Sequence, residues 1–128
     1  MIYRSKAPLR IGLAGGGTDV SPYSDEFGGA ILNATVSLSA NVSIEPLDEN
    51  KIIIEALDRQ EQSVFDWSKE LPINGKLDLL KGVYNRVQKD FNIPQKGFRL
   101  SSFVDAPAGS GLGTSSTLVV AILGAFVE

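Results

Sequence analysis

The segment "DAPAGSGLGTSST", Asp105 to Thr117, concentrates the residues best suited to chemistry. Gly109, Gly111 and Gly113 alternate, then Thr114, Ser115, Ser116 and Thr117 follow without a break, and an apolar run comes next. Glycine admits positive φ and lets a ligand approach backbone amides. A helix start leaves its first amides unpaired and partly positive. A glycine-rich loop entering such a helix is therefore a place where phosphate can sit. Hydroxyls at that point can cap the helix, bond phosphate oxygens, or reach a magnesium ion that bridges phosphates. The same residues also suit a capped loop with no ligand, and residue chemistry alone leaves both readings open. The spacing is not a P-loop, because no Lys follows the last glycine, and it is not G-x-G-x-x-G.

What the chain lacks narrows the chemistry. There is no cysteine and no histidine. Disulfides, thiolate catalysis, His-based proton transfer and a Ser-His-Asp triad are excluded for these residues, and a reducing compartment fits. The work falls to Asp, Glu, Lys, Arg, hydroxyls, backbone amides or a bound metal. A net charge of −3 argues against a protein that coats nucleic acid, whose footprint is basic. It leaves room for a local anion site.

The elements that must hold the loop are readable from periodicity. The 128 residues suffice for one domain with a real core. "MIYRSKAPLRIGLAGG" reads as extended, with Pro8 at an edge or a bulge. "GGGTD" (Gly15 to Asp19) and "VSPYSDEFGG" read as loop, with Asp25 and Glu26 solvated. From Leu32 to Ile44 every even position is apolar and every odd one polar, which predicts a strand with one buried face. "PLDEN" is a turn, and "KIIIEAL" (Lys51 to Leu57) is a strand expected to form a hairpin with it. "QSVFDW" (Gln62 to Trp67) fits a third strand. Leu80, Val83, Tyr84, Val87 and Phe91 then recur at helical spacing, with Pro94 beyond. "GFRLSSFVDAP" returns to alternation, and "LVVAILGAFV" is half a membrane span, read as a buried helix. The order predicts an α+β fold, with helices on one side of a mainly antiparallel sheet. No apolar leader opens the chain. The sequence reaches Glu128 inside an apolar helical run, so it is expected to be part of a longer protein.

"PAGSGLGTSS" resembles the second signature of the GHMP kinase superfamily, P-x-x-x-G-L-G-S-S-A. Pro107, Gly111, Leu112, Gly113 and Ser115 match; Thr114 replaces a Ser, and Ser116 and Thr117 stand where alanines are usual. "APLRIGLAGGGTD" resembles the galactokinase-type first signature A-P-G-R-V-N-L-I-G-E-H-T-D, with Gly16-Gly17 in place of Glu-His. The "GGGTD" form is similar to the branch holding heptose-phosphate kinases and bacterial fucokinases.

The resemblance implies a ribosomal protein S5 domain 2-like fold over residues 1–128, serving as a truncated N-terminal, ATP-binding domain with the C-terminal domain outside this chain. It implies transfer of the γ-phosphoryl of ATP to a sugar hydroxyl with Mg2+, in the cytoplasm. The acceptor it favours is D-glycero-D-manno-heptose 7-phosphate at the anomeric position, with fucose or galactose as rivals. On that reading Pro107, Gly109, Ser110, Gly111, Leu112, Gly113, Thr114, Ser115 and Ser116 hold the ATP phosphates, and Ser115 also holds the metal. Arg10 faces the transferring phosphoryl group, where its planar fork of donors suits phosphate; a structural salt bridge is the other use. Gly16, Gly17, Thr18 and Asp19 bind the acceptor, Asp19 through sugar hydroxyls, or Asp19 simply caps a turn. Tyr23 could stack on the sugar. Trp67 either packs in the core or lines the adenine pocket. Asp105 is expected to be structural, with the catalytic base outside this chain. No nucleic-acid or membrane partner is expected, and this piece alone is expected to be inactive. The rival of another class is a non-catalytic S5-like binding module, which the acidic balance disfavours.

Overall fold

The computed structural model describes residues 1–127. The alternating segments become strands β1 (Tyr3–Ala14), β2 (Leu32–Pro46), β3 (Lys51–Ala56), β4 (Glu61–Asp66) and β5 (Phe98–Val104). The helices are α1 (Tyr23–Phe27), α2 (Asp78–Phe91) and α3 (Thr114–Val127), with one 3-10 turn at Leu57–Arg59. One sheet has the order β1-β2-β5-β3-β4. Every neighbouring pair is antiparallel except β3 and β5, which run parallel. The mainly antiparallel α+β prediction is therefore met.

Alternation decides which sheet face carries the helices. Ala40, Val42 and Ile44 of β2, Ile52 and Ile54 of β3, and Phe98 and Leu100 of β5 share one face and are buried. They join Leu80, Val83, Tyr84 and Val87 of α2 with Leu118, Ala121, Ile122 and Ala125 of α3 in a single core cluster. Each large side chain in it stabilises the fold by about 1.5–3 kcal/mol. The start of α2 is held by a polar knot. The Asp78 carboxylate accepts the amides of Asn74 (3.1 Å) and Gly75 (2.8 Å). The fully buried Lys81 ammonium bridges it (2.9 Å) to the Asn74 side-chain oxygen (2.7 Å).

Four expectations need correction. The strand from Lys51 does not form a hairpin with β2, because β5 lies between β2 and β3; β3 instead forms its hairpin with β4. The even face of β2 is buried only from Ala40 onward, since β5 pairs β2 only over Ala40–Pro46. Leu38 and Leu32 are exposed and the odd-numbered Ser39 is buried. Phe91, the last position of the helical stripe, lies past the core and is 75% exposed. Asp25 and Glu26 fall in the short helix α1 rather than in a loop. Pro8 fits as expected: β1 is an edge strand, and its register with β2 breaks directly after Pro8.

Candidate functional site

The site forms where β5 gives way to the glycine loop and the loop gives way to α3. The loop covers residues 106–113, and α3 opens at Thr114. A turn closes inside it, the Ser110 amide donating to the Pro107 carbonyl (3.2 Å). The Thr117 amide donates to the Gly113 carbonyl (3.0 Å), so the helical ladder starts there. The amides of Thr114, Ser115 and Ser116 precede that first bond and have no intrahelical acceptor within reach. Residues 107–111 are exposed, as are Ser115 and Ser116, whereas Thr117 is buried. Of the four consecutive hydroxyl residues, Ser115 and Ser116 are exposed, Thr114 is half-buried and Thr117 belongs to the core. An exposed row of amides at a helix start, beside two hydroxyls, can hold a phosphate chain.

The two sequence motifs meet at this loop. The register of β1 with β2 runs Pro8 to Ser39 and then slips, so that Arg10 pairs with Thr35. Freed by the slip, the Arg10 amide donates to the Leu112 carbonyl at 3.1 Å. The Arg10 side chain lies along Gly113: a methyl group there would stand 3.3 Å from the guanidinium carbon. Gly113 also has φ +71°, so this position needs glycine both for its conformation and for the cation beside it. Arg10 has no acidic partner among the described residues.

The "GGGTD" segment begins directly after β1, whose four residues from Arg10 to Ala14 span about 13 Å by strand rise. Its conformation is fixed by Thr18. The Thr18 hydroxyl donates to the Gly15 carbonyl (2.7 Å) and accepts the Ala30 amide (3.1 Å). Gly15 is required there, since a methyl group would lie 1.9 Å from the Ala30 carbonyl oxygen. Gly16 and Gly17 have open space on their Cα atoms. Asp19 is exposed, and its carboxylate makes no hydrogen bond or ion pair among the described residues. Tyr23 stacks on Phe27 with ring centroids 5.2 Å apart, within α1. The structure therefore brings Arg10 to the glycine loop and leaves Asp19 on a separate, neighbouring loop.

Trp67 does not reach this place. It follows β4 where Asp66 pairs with Lys51, and its amide bonds the Asn50 carbonyl (3.0 Å). The glycine loop leaves β5 at the other end, beyond Ser102 opposite Ala56. Trp67 packs against the core instead. This is the place that the core alternative for Trp67 describes. A cleft of about 190 Å³ does adjoin the loop, lined by Asp58, Arg59, Leu79, Ala108, Thr114 and Ser115 among others. Sequence reading missed Asp58, Arg59 and Leu79. Their signal was faint: a charged pair after an apolar strand, and one leucine at an outward position of α2.

The residues fit ATP with its magnesium only in a limited sense. The open loop and the bare helix amides suit the phosphates. Ser115 gives one hydroxyl ligand, and magnesium keeps waters and phosphate oxygens for its other positions. No cluster of three carboxylates occurs among the described residues that would hold a cation without them.

Fold and loop together define a class. Residues 78–128 match the family profile of the GHMP kinases N terminal domain, and the chain has the S5-like fold of solved GHMP kinases. The chain is 44% identical over 125 residues to the D-glycero-alpha-D-manno-heptose 7-phosphate kinase of Campylobacter jejuni, covering 98% of this chain and 37% of the relative. The crystal structure of a D-glycero-D-manno-heptose 1-phosphate kinase from Bacteroides thetaiotaomicron superposes with a TM-score of 0.92 at 54% identity, over 100% of this chain and 42% of that one. An L-fucokinase/L-fucose-1-P guanylyltransferase of Bacteroides fragilis is 28% identical over 152 residues, 94% of this chain and 15% of that protein. The chain therefore spans less than half the length of these relatives.

Proposed function

We propose that this chain is the ATP-binding, N-terminal portion of a sugar kinase that phosphorylates a heptose phosphate. The observation that carries the reading is the meeting of Arg10 with the glycine loop at Gly113. A fixed cation beside a phosphate cradle suits phosphoryl transfer, where catalysis is mainly positioning and charge neutralisation. Gly109 through Ser116 hold the phosphates, Ser115 adds a ligand to magnesium, and the cleft with Leu79 and Arg59 takes the nucleoside. Arg10 offsets charge on the γ-phosphoryl group as its bond to the β-phosphate oxygen breaks and a bond to the acceptor oxygen forms. Asp19, with Gly16 and Gly17, holds acceptor hydroxyls; Thr18 shapes that loop.

The finer reading is D-glycero-D-manno-heptose 7-phosphate phosphorylated at its anomeric hydroxyl. The names of two relatives support a heptose phosphate, and the fucokinase relative keeps fucose as the alternative. Asp105 is engaged by Ser39, and the family resemblance puts the base that takes the acceptor proton outside this chain. ATP, magnesium and a sugar phosphate as its ligands support a cytoplasmic enzyme, of which this portion alone is expected to be inactive. No described helix is long and apolar enough to cross a membrane.

The test is ADP release by the full-length protein with heptose 7-phosphate, fucose and galactose in parallel. Turnover is expected with the heptose phosphate; none with any sugar or sugar phosphate sinks the kinase reading. Gly111→Val, at φ +74° in the open loop, is expected to abolish nucleotide binding, and unchanged binding removes the loop from the role of phosphate cradle.

A further inference from the structure

We propose that Asp105 is a positioning residue for phosphoryl transfer, holding Arg10 against the glycine loop through Ser39. The inference rests on the kinase reading above. The β2–β5 register ends at Ala40 opposite Val104, which puts Asp105 opposite Ser39. The Asp105 amide makes its ladder bond to the Ser39 carbonyl (2.9 Å). The return bond goes elsewhere: the Ser39 amide donates to the Asp105 carboxylate (2.8 Å), and so does the Ser39 hydroxyl (2.9 Å). The side chain stands in for its own main-chain carbonyl, which frees the backbone to leave the sheet and begin the loop. Both bonds are charge-assisted, the stronger kind.

Ser39 faces the other way as well. It is the last partner of β1, opposite Pro8, before the register slips by two residues. Leu9, fully buried, anchors β1 at the slip, and Arg10 emerges directly after it with its amide on Leu112. One carboxylate therefore ties the root of the phosphate loop to β2 at Ser39, the residue opposite Pro8 in the strand that carries the cation. Asn41 donates a further bond to the Ser39 hydroxyl (3.3 Å), so the buried serine is held by both Asp105 and Asn41. Displacing a catalytic group by about 1 Å can cost about 100-fold in rate, and loosening this clamp moves Arg10 and Gly113 independently.

The experiment is a mutant cycle on the full-length protein, with kcat and KM for both substrates. Asp105→Ala is expected to lower kcat by roughly 10- to 100-fold while KM for ATP changes less than about threefold. Asp105→Asn recovers most of the loss, since its amide oxygen, in the place of Oδ2, accepts both the Ser39 amide and the Ser39 hydroxyl. In an Arg10→Ala background, Asp105→Ala costs less than about threefold, because its effect runs through Arg10. Ser39→Ala keeps the main-chain bond and is expected to lose about two- to fivefold in kcat; it serves as the test should Asp105→Ala not fold. Full turnover by Asp105→Ala or Ser39→Ala, or equal losses from Asp105→Ala with and without Arg10, overturns the proposal. Full turnover by Arg10→Ala removes Arg10 from the reaction and this proposal with it, whereas a crippled Arg10→Ala beside an active Asp105→Ala overturns the clamp alone.

Discussion

The two halves of β2 share one sequence pattern and have opposite surroundings. From Ala40 to Ile44 the strand is flanked on both edges, by β1 and β5, and its even residues lie under the helices. From Leu32 to Val36 it has β1 alone, and the two strands project as a ribbon beyond the sheet. On that ribbon Leu13 is 62% and Leu32 60% exposed. Alternation therefore reports that a face is apolar; whether it is buried depends on a third strand and a helix arriving. The core half sets stability, and the ribbon half leads into the Gly15–Asp19 loop.

That contrast can be broken in four ways, from the largest effect to the smallest. Leu100→Ala, in the buried central strand, is expected to cost about 2–5 kcal/mol in urea unfolding, and Leu32→Ala on the ribbon less than about 0.5 kcal/mol. Comparable losses would show that the ribbon is part of the core. Next, Lys81→Ala removes the buried ammonium that joins Asp78 to Asn74 and is expected to cost about 2 kcal/mol in the same assay.

Third, Gly15→Ala drives a methyl group into the Ala30 carbonyl, while Gly16→Ala meets nothing. The first should speed amide exchange over residues 15–31 with the thermal midpoint nearly unmoved, and the second should do neither. A Gly15→Ala protein that melts as a whole would tie the loop to the core. The smallest effect is on pH dependence. The hydrogen bond from Lys81 holds the Asp78 carboxyl below its ordinary value of 3.8, against burial, with the amides of Gly75 and Asn74 assisting. A carboxyl lowered by folding contributes stability above the ordinary carboxylate range, and that contribution fades as pH falls through the folded value. Asp78→Asn should therefore flatten the loss of stability below about pH 5. An unchanged acid limb would show that the knot carries no such linkage.

Much of this was legible because short-range physics fixed it. The alternation in β2 and β5, the helical stripe of α2 and the glycine loop before α3 each express one local period or one backbone need. Pro8 even marked the edge strand and its slip. What stayed hidden was set by partners far along the chain. Nothing near Pro46 announces that β5, some fifty residues later, will lie between β2 and β3. Nothing local to Trp67 tells which end of β4 the glycine loop will occupy. Asp105 was readable as structural, but its bond to Ser39 depends on a register 66 residues apart. Arg59 and Leu79 reach the loop through that same long-range arrangement.

The place of β5 in the sheet has a consequence for the order of assembly. Without it, β1 pairs only with β2 and β3 only with β4, two ribbons with no ladder between them. Its residues Phe98–Val104 zip to β2 on one side and to β3 on the other. A nascent chain that has emerged only as far as Gly97 holds two separate hairpins, and the seven residues after it turn them into one cooperative unit. Closing the parallel pair also requires ordering the long connection through α2, and such non-local closure is slow. The glycine loop is attached directly to the end of that strand, so its root is anchored in the sheet only where β5 has docked between β2 and β3.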